Sequence, residues 1–190
     1  MSITIRPFGL DEMESIQAID RSVEQTAEYR VEPTSDAVGL VLKRRPLLAP
    51  VPMAGWAEGE LAARLEQWRK SVKQGATPIG AYEDGRMVGM ALLSETLFDE
   101  TAELQAFFIA SRYRQGPAAT KLLSAVEDQA REQSATTVFL FITLTSAQAI
   151  DFYLDSGFRV IGLQDTSRVK NRGWELRLAK ALAPVSGGTD

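Results

Sequence analysis

Every second residue is apolar in Ser2-Ile-Thr-Ile-Arg-Pro7, and this two-residue period is that of a half-buried strand. From Asp11-Glu-Met-Glu14, which resembles a capping box, the period lengthens so that Met13, Ile16 and Ile19 share one face of a helix. The chain therefore opens β then α. Prolines at 33, 46, 50 and 52 interrupt residues 24–77, within which Leu61, Leu65, Trp68 and Val72 recur at helical spacing with charges between them. That spacing predicts a helix from about Gly59 to Val72, and residues 24–77 read as a helical insert.

Beyond the insert the period returns to two. Ile79-Gly-Ala-Tyr82 and Met87-Val-Gly-Met-Ala-Leu-Leu93 flank Glu83-Asp-Gly85, and Asp-Gly tolerates the positive φ that a tight hairpin requires. A third strand ends near Ile109. After Arg114-Gln-Gly-Pro-Ala-Ala119 comes an amphipathic helix with Ala119, Leu122, Leu123, Val126 and Ala130 on one face. Thr137-Val-Phe-Leu-Phe-Ile-Thr-Leu144 is a continuous apolar run, the pattern of a central strand covered on both faces. A short helix from about Ser146 to Asp155 stops at Gly157, a residue suited to the position after a helix C-cap. Phe158–Leu163 and Trp174–Leu178 read as two last strands, and residues 183–190 as a flexible tail.

Composition narrows the chemistry. The 190 residues are 45% apolar and 24% charged, ordinary globular proportions for one core, so residues 1–182 read as a single domain. The net charge of -4 argues against a nucleic-acid groove. There is neither cysteine nor histidine, which removes disulfides, thiolate nucleophiles, Ser-His-Asp triads and imidazole metal sites. Glu, Asp, Tyr, Lys and backbone amides remain as catalysts, and no metal is expected. No apolar run approaches the ~18 residues of a membrane span, and no signal peptide opens the chain, so the expectation is a cytoplasmic protein without a membrane partner.

The order of strand, basic turn and helix start over residues 102–119 brings backbone N–H groups and the positive end of a helix dipole together, as a pyrophosphate requires. Taken with the order β-α-insert-β-β-β-α-β-α-β-β, the chain resembles the GNAT superfamily of acyl-CoA-dependent N-acetyltransferases over nearly its whole length. Two motifs carry the likeness. Arg114-Gln-Gly-Pro117-Ala-Ala119 is similar to the family's acyl-CoA signature of Arg or Gln, two residues, Gly, one residue, then Gly or Ala, with Pro117 in place of the first Gly. Ala149-Ile-Asp-Phe-Tyr-Leu-Asp-Ser-Gly-Phe158 resembles the Ala-Ile-x-x-Tyr-x-x-x-Gly-Phe signature, with Ser146 where the family commonly has Asn.

The resemblance implies an α+β fold of α/β/α layers, with a mixed, mostly antiparallel central sheet of about seven strands and flanking helices. It also implies acetyl-CoA as cosubstrate and a primary amine of a small molecule or peptide as acceptor, with residues 24–77 on the acceptor side. A homodimer is compatible with it. The amides of Gln115, Gly116, Ala118 and Ala119, with the forks of Arg114 or Arg112, would hold the diphosphate. Backbone N–H groups near Phe108 and Ile109 would polarise the thioester carbonyl. Tyr153 would donate a hydrogen bond to the departing sulfur. Glu103, eleven residues before Arg114, is similar in spacing to the glutamate base of the histone-acetyltransferase branch. A base is needed because an amine of pKa about 10.4 is mostly protonated at pH 7. The alternative is a non-catalytic acyl-CoA-binding regulatory module of the same fold.

Overall fold

The Asp84-Gly85 turn is the seed of the sheet. Both residues have positive φ, 49° and 78°, the geometry of a tight hairpin turn whose twist matches that of its strands. It joins β4 (Thr77–Glu83) to β5 (Arg86–Leu93) in a computed structural model that describes residues 2–35, 39–97, 99–114, 116–166 and 173–183. The chain groups into two compact units: Met1–Ser22 with Ala54–Phe139 and Ala181–Asp190, and Val23–Met53 with Leu140–Lys180.

In the first unit, β1 (Ile3–Pro7) pairs antiparallel with β4, and β5 pairs antiparallel with β6 (Thr101–Ile109). Strand β5 is buried along almost its whole length, as expected of a strand covered on both faces. One face is filled by a 3-10 helix (Leu10–Ala18) and by α1 (Glu58–Lys73), whose Met13, Ile16, Leu61, Leu65 and Trp68 join Met90, Leu92 and Ala106 in one apolar cluster. The alternate residues Ala91 and Leu93 point to the other face. That face is covered by α2 (Ala118–Glu132), which packs on β4, β5 and β6. Leu122 and Val126 of α2 are wholly buried, each worth about 1.5–3 kcal/mol relative to exposure.

Met13, Ile16 and Ile19 are buried as their spacing predicts, but the segment is 3-10 and no capping box forms. Gly9 stands at its N-cap without a side-chain hydrogen bond. The acidic residues that suggested the box are engaged elsewhere: Glu12 pairs with Arg6 at 2.7 Å, and Glu14 pairs with Arg69.

The second unit corrects the reading of residues 24–77. The helix there is α1 alone. Before it, β2 (Val23–Pro33) and β3 (Leu40–Met53) form a long two-stranded hairpin. The register jumps from Gln25↔Val51 to Ala27↔Pro46, so Leu47-Leu48-Ala49-Pro50 bulges out opposite Thr26. Prolines fit a ladder of only two strands, because an outer edge has no neighbour to receive an N–H. The hairpin is fastened within its own unit: Tyr29 donates its N–H to the Leu144 carbonyl at 2.9 Å and its hydroxyl to Asp151 at 2.8 Å. The other Asp151 oxygen accepts from Arg44 Nε at 2.9 Å.

Strand β7 (Thr137–Thr143) begins in the first unit, where it pairs parallel with β6 from Thr101↔Thr137 to Glu103↔Phe139, and ends in the second. Val138, Phe139 and Leu140 are buried, but Phe141 is 47% exposed, so the expected cover on both faces holds only for the first half. After it come α3 (Ala147–Asp155) and the antiparallel pair β8 (Arg159–Asp165) and β9 (Trp174–Ala181). The strand order is β1-β4-β5-β6-β7-β9-β8, a mixed and mostly antiparallel seven-stranded sheet with flanking helices. No described helix is long and apolar enough to cross a membrane.

Candidate active site

Between β6 and α2 the chain makes a 3-10 turn (Ser111–Tyr113) that consumes its own amides. Tyr113 N–H goes to the Ala110 carbonyl at 2.8 Å, Arg114 N–H to Ser111 at 3.3 Å and Gly116 N–H to Tyr113 at 3.1 Å. Gly116 therefore does not offer the donor that its place in the motif predicts, and Gln115 lies outside the described residues. Pro117 is the N-cap of α2, and its carbonyl accepts the N–H of Lys121 at 2.9 Å. Lys121 is thus the first residue whose N–H the helix itself takes up. Among the described residues the amides of Ala118, Ala119 and Thr120 have no partner, and no side chain caps this end. Three N–H groups at the positive end of a helix dipole form an anion-binding arrangement. Thr120 was not singled out by sequence, although the orphan-donor rule for helix starts points to it.

Arg114 and Arg112 do not present free forks to a phosphate. Arg114 Nε donates to the Ile109 carbonyl at 3.1 Å and Nη1 to the Ser22 carbonyl at 2.6 Å. Burial lowers the pKa of Arg114, and the nearby Asp20 carboxylate opposes that shift. Its role in this structure is to fasten the turn to the end of β6 and to the segment before β2. Arg112 lies 3.8 Å from Glu83 and donates to the Tyr113 hydroxyl. Glu83 also accepts the Tyr113 hydroxyl, which raises the pKa of that phenol. Beside the turn an open depression of about 180 Å³ is lined by Asp20, Arg86, Val88, Arg112 and Tyr113.

The end of β6 orients its amides alternately. Ala110 donates its N–H to Val88 of β5 at 2.8 Å, so the antiparallel alternation turns the N–H of Phe108 toward β5 as well. Those of Phe107 and Ile109 turn to the opposite edge, the edge on which the Ile109 carbonyl receives Arg114. Of the two amides expected to polarise a carbonyl, Ile109 is on the open edge and Phe108 is in the ladder. Phe107 is the edge residue that sequence missed, since the direction of an amide depends on register. The bulge of β6 falls at Gln105, between the pairs Leu92↔Ala106 and Leu93↔Leu104.

Glu103 is half-buried, and its main chain is locked to Ser94: its N–H donates to Ser94 Oγ at 2.8 Å and its carbonyl accepts the Ser94 N–H at 2.9 Å. It stands six residues before Ile109 on the same strand. Six residues of extended chain span about 20 Å, beyond direct reach of an amine placed at Ile109.

In the second unit α3 carries Tyr153, which is 5% exposed and lies edge-on to Phe152 at 5.4 Å and Phe158 at 5.3 Å between ring centroids. Burial raises its pKa strongly, so the phenol stays protonated well above neutral pH. The helix closes in a Schellman motif: Phe158 N–H reaches the Tyr153 carbonyl at 3.0 Å and Gly157 N–H the Leu154 carbonyl at 3.0 Å, with Gly157 at φ 90°. The Tyr153–Phe158 ring contact is the apolar pair that accompanies this motif. Tyr, three residues, Gly, Phe is therefore a helix-stop signal as well as a family signature. Ser146 is the N-cap of α3, but its hydroxyl makes no cap bond and instead sits 3.1 Å from Thr143 Oγ1.

Residues 44–158 match the model of the acetyltransferase (GNAT) family. A streptothricin acetyltransferase of Streptomyces lavendulae is 27% identical over 152 residues, which cover 79% of this chain and 78% of that protein. Among solved structures, a nourseothricin acetyltransferase superposes with a TM-score of 0.78 at 21% identity, over 96% of this chain and 100% of its own. A Bacillus anthracis protein solved in complex with acetyl coenzyme A gives a TM-score of 0.75 at 13% identity, over 96% of this chain and 100% of its own. These two likenesses concern the fold. With the family model spanning the hairpin's second strand through the Gly-Phe at the end of α3, the chain belongs to the GNAT acetyltransferase family and is an acyltransferase.

Proposed function

We propose that this protein transfers the acetyl group of acetyl-CoA to a primary amine of a small molecule by direct attack within a ternary complex, and that the acceptor is an amine of the streptothricin kind. Acetyl-CoA is the cosubstrate of the family to which the chain belongs. The observation that carries the reading is the uncapped start of α2, where the amides of Ala118, Ala119 and Thr120 have no partner among the described residues, directly after an Arg-anchored turn. A diphosphate supplies the acceptors those donors lack. The choice of acceptor is supported by the Streptomyces lavendulae relative, whose match extends over most of both chains.

In this mechanism the amine nitrogen attacks the thioester carbon, the carbonyl oxygen gains charge, and the C–S bond breaks to leave a CoA thiolate. The edge-facing N–H of Ile109 stabilises the developing oxyanion. Tyr153 donates a hydrogen bond to the departing sulfur. Full proton transfer is unfavourable, because a free phenol near pKa 10 is already uphill of a thiolate near 8.5 by about 2 kcal/mol, and burial raises the Tyr153 phenol further. The proton released by the amine leaves through water, and Glu103 acts only along such a chain. Ser146 would contact the pantetheine arm through its hydroxyl, at shorter reach than an Asn.

The test is thiol release from acetyl-CoA with streptothricin as the amine, followed for wild type and Tyr153→Phe. Wild type should release thiol stoichiometrically with acceptor acetylation. Tyr153→Phe should lower kcat by about 10- to 100-fold, the range for one lost transition-state hydrogen bond, with acetyl-CoA affinity little changed. Because the phenol's pKa is raised, wild-type activity should show no basic loss from Tyr153 ionisation below about pH 10. Binding of acetyl-CoA with no thiol release across a wide amine panel would instead identify a regulatory module.

A further inference from the structure

Attack on a thioester needs a neutral amine, yet an alkyl amine is mostly ammonium at pH 7 and the base suggested by the sequence, Glu103, is about 20 Å along β6 from Ile109. The first unit carries a different device. The Arg21 guanidinium carbon lies 5.1 Å from the Trp56 ring centroid and 5.8 Å from that of Phe108, the residue next to Ile109. Trp56, Trp68 and Phe108 form one aromatic wall, with centroids 5.6 to 5.8 Å apart. Arg21 Nη1 donates to the Ile16 carbonyl at 3.1 Å, and its Nε is buried with no hydrogen-bond partner among the described residues.

The chain then ties this cation to the end of β6. Ser22, the next residue, accepts Arg114 Nη1, and Arg114 Nε holds the Ile109 carbonyl. Two guanidinium groups thus flank the last residues of β6. The carboxylate acting on both is Asp20, itself engaged with the Ser22 N–H at 3.0 Å. Arg64 lies over Trp56 at 4.3 Å, but Glu60 pairs with it at 2.9 Å. Arg112, on the turn after β6, is likewise paired, with Glu83 at 3.8 Å. Among the described residues, Arg21 and Arg114 are thus two cations against the one carboxylate of Asp20, which leaves the corner net positive. A neighbouring like charge disfavours the protonated form of an amine.

We propose that Arg21 sets the charge state of the acceptor: held by the Trp56–Phe108 wall beside Ile109, it disfavours the ammonium form of an amine bound there and so presents the neutral nucleophile. This rests on the acetyl-transfer reading above. Arg21 acts through its field and takes no proton itself, since a guanidinium does not deprotonate in a protein. Burial lowers the pKa of Arg21 without neutralising it, which is the state such a role requires.

The experiment is kcat against pH at saturating acetyl-CoA and streptothricin for wild type, Arg21→Met, Arg21→Gln and Arg21→Lys, because kcat reports ionisation in the bound complex. Removing the charge should move the acidic limb of Arg21→Met and Arg21→Gln to higher pH by about half a unit or more, and Arg21→Lys should restore it. In a series of primary amines at pH 7, the neutral variants should lose more kcat with strongly basic amines than with weakly basic ones. Should one neutral variant fail to fold, the other carries the comparison. An unmoved limb in a folded, active variant, or equal losses across the amine series, overturns the proposal. Wild type that releases no thiol with any amine overturns the transfer reading together with it.

Discussion

The start of α2 and the end of α3 face the same problem, orphan backbone groups at a helix terminus, and solve it in opposite ways. At the start of α2 Pro117 donates nothing, the turn keeps the Arg114 and Gly116 amides for itself, and three N–H groups remain without a partner among the described residues. At the end of α3 the carbonyls of Tyr153 and Leu154 are both satisfied by a Schellman closure, and the Tyr153 and Phe158 rings seal it. The difference teaches which end is completed from outside. An open terminus stores binding capacity for an anion, whereas a closed one gives rigidity to the side chain mounted on it, here Tyr153.

The largest expected effect comes from closing the open end. Thr120→Asp places a carboxylate over the leftover amides and opposite an incoming diphosphate. Acetyl-CoA affinity measured by calorimetry should fall about tenfold or more, while thermal stability rises by about 0.3–1 kcal/mol through the helix dipole. Unchanged affinity would show that the diphosphate does not sit there, and the contrast between the two ends would lose its functional meaning.

Opening the closed end is the next test. Gly157 has φ 90°, and although a Cβ there meets only Lys180 Cε at 3.6 Å, the left-handed backbone itself disfavours an L side chain. Gly157→Ala should lose about 1–2 kcal/mol in urea unfolding, with kcat falling more than acetyl-CoA affinity if the closure positions Tyr153. A full-strength kcat in the destabilised variant would separate the closure from catalysis. The smallest effect is expected from Pro117→Gly, which adds one N–H at the open end. Acetyl-CoA should bind a few-fold tighter, in keeping with a net hydrogen bond of about 0.5–1.5 kcal/mol. Weaker binding would mean that the fixed φ of proline matters more than the missing donor.

Much of the fold is local and was legible for that reason. Asp84-Gly85 needs only its own φ angles to make a hairpin, Leu122 and Val126 need only their spacing to share a face, and Gly157-Phe158 needs only the preceding turn to stop a helix. The hairpin of residues 23–53 was not legible. Its strands are held by pairing across a four-residue bulge and by Asp151, more than a hundred positions away. Its four prolines masked the strand pattern rather than revealing it. The proposed site was legible as a place and not as a set of donors: Gly116 and Phe108 spend their amides inside the structure, while those of Ala118, Ala119 and Thr120 have no partner among the described residues and that of Ile109 turns away from β5.

From its order of residues alone this chain determined most of its helices and strands and the turns between them, residues 23–53 excepted, because each depends on interactions within a turn or two of chain. Tertiary structure decided which amides face outward, that Arg114 braces Ile109 and Ser22, and that Arg21 stands beside the end of β6. A hydrogen-bonding group is free or occupied according to what distant segments bring to it, and no local pattern of residues encodes that.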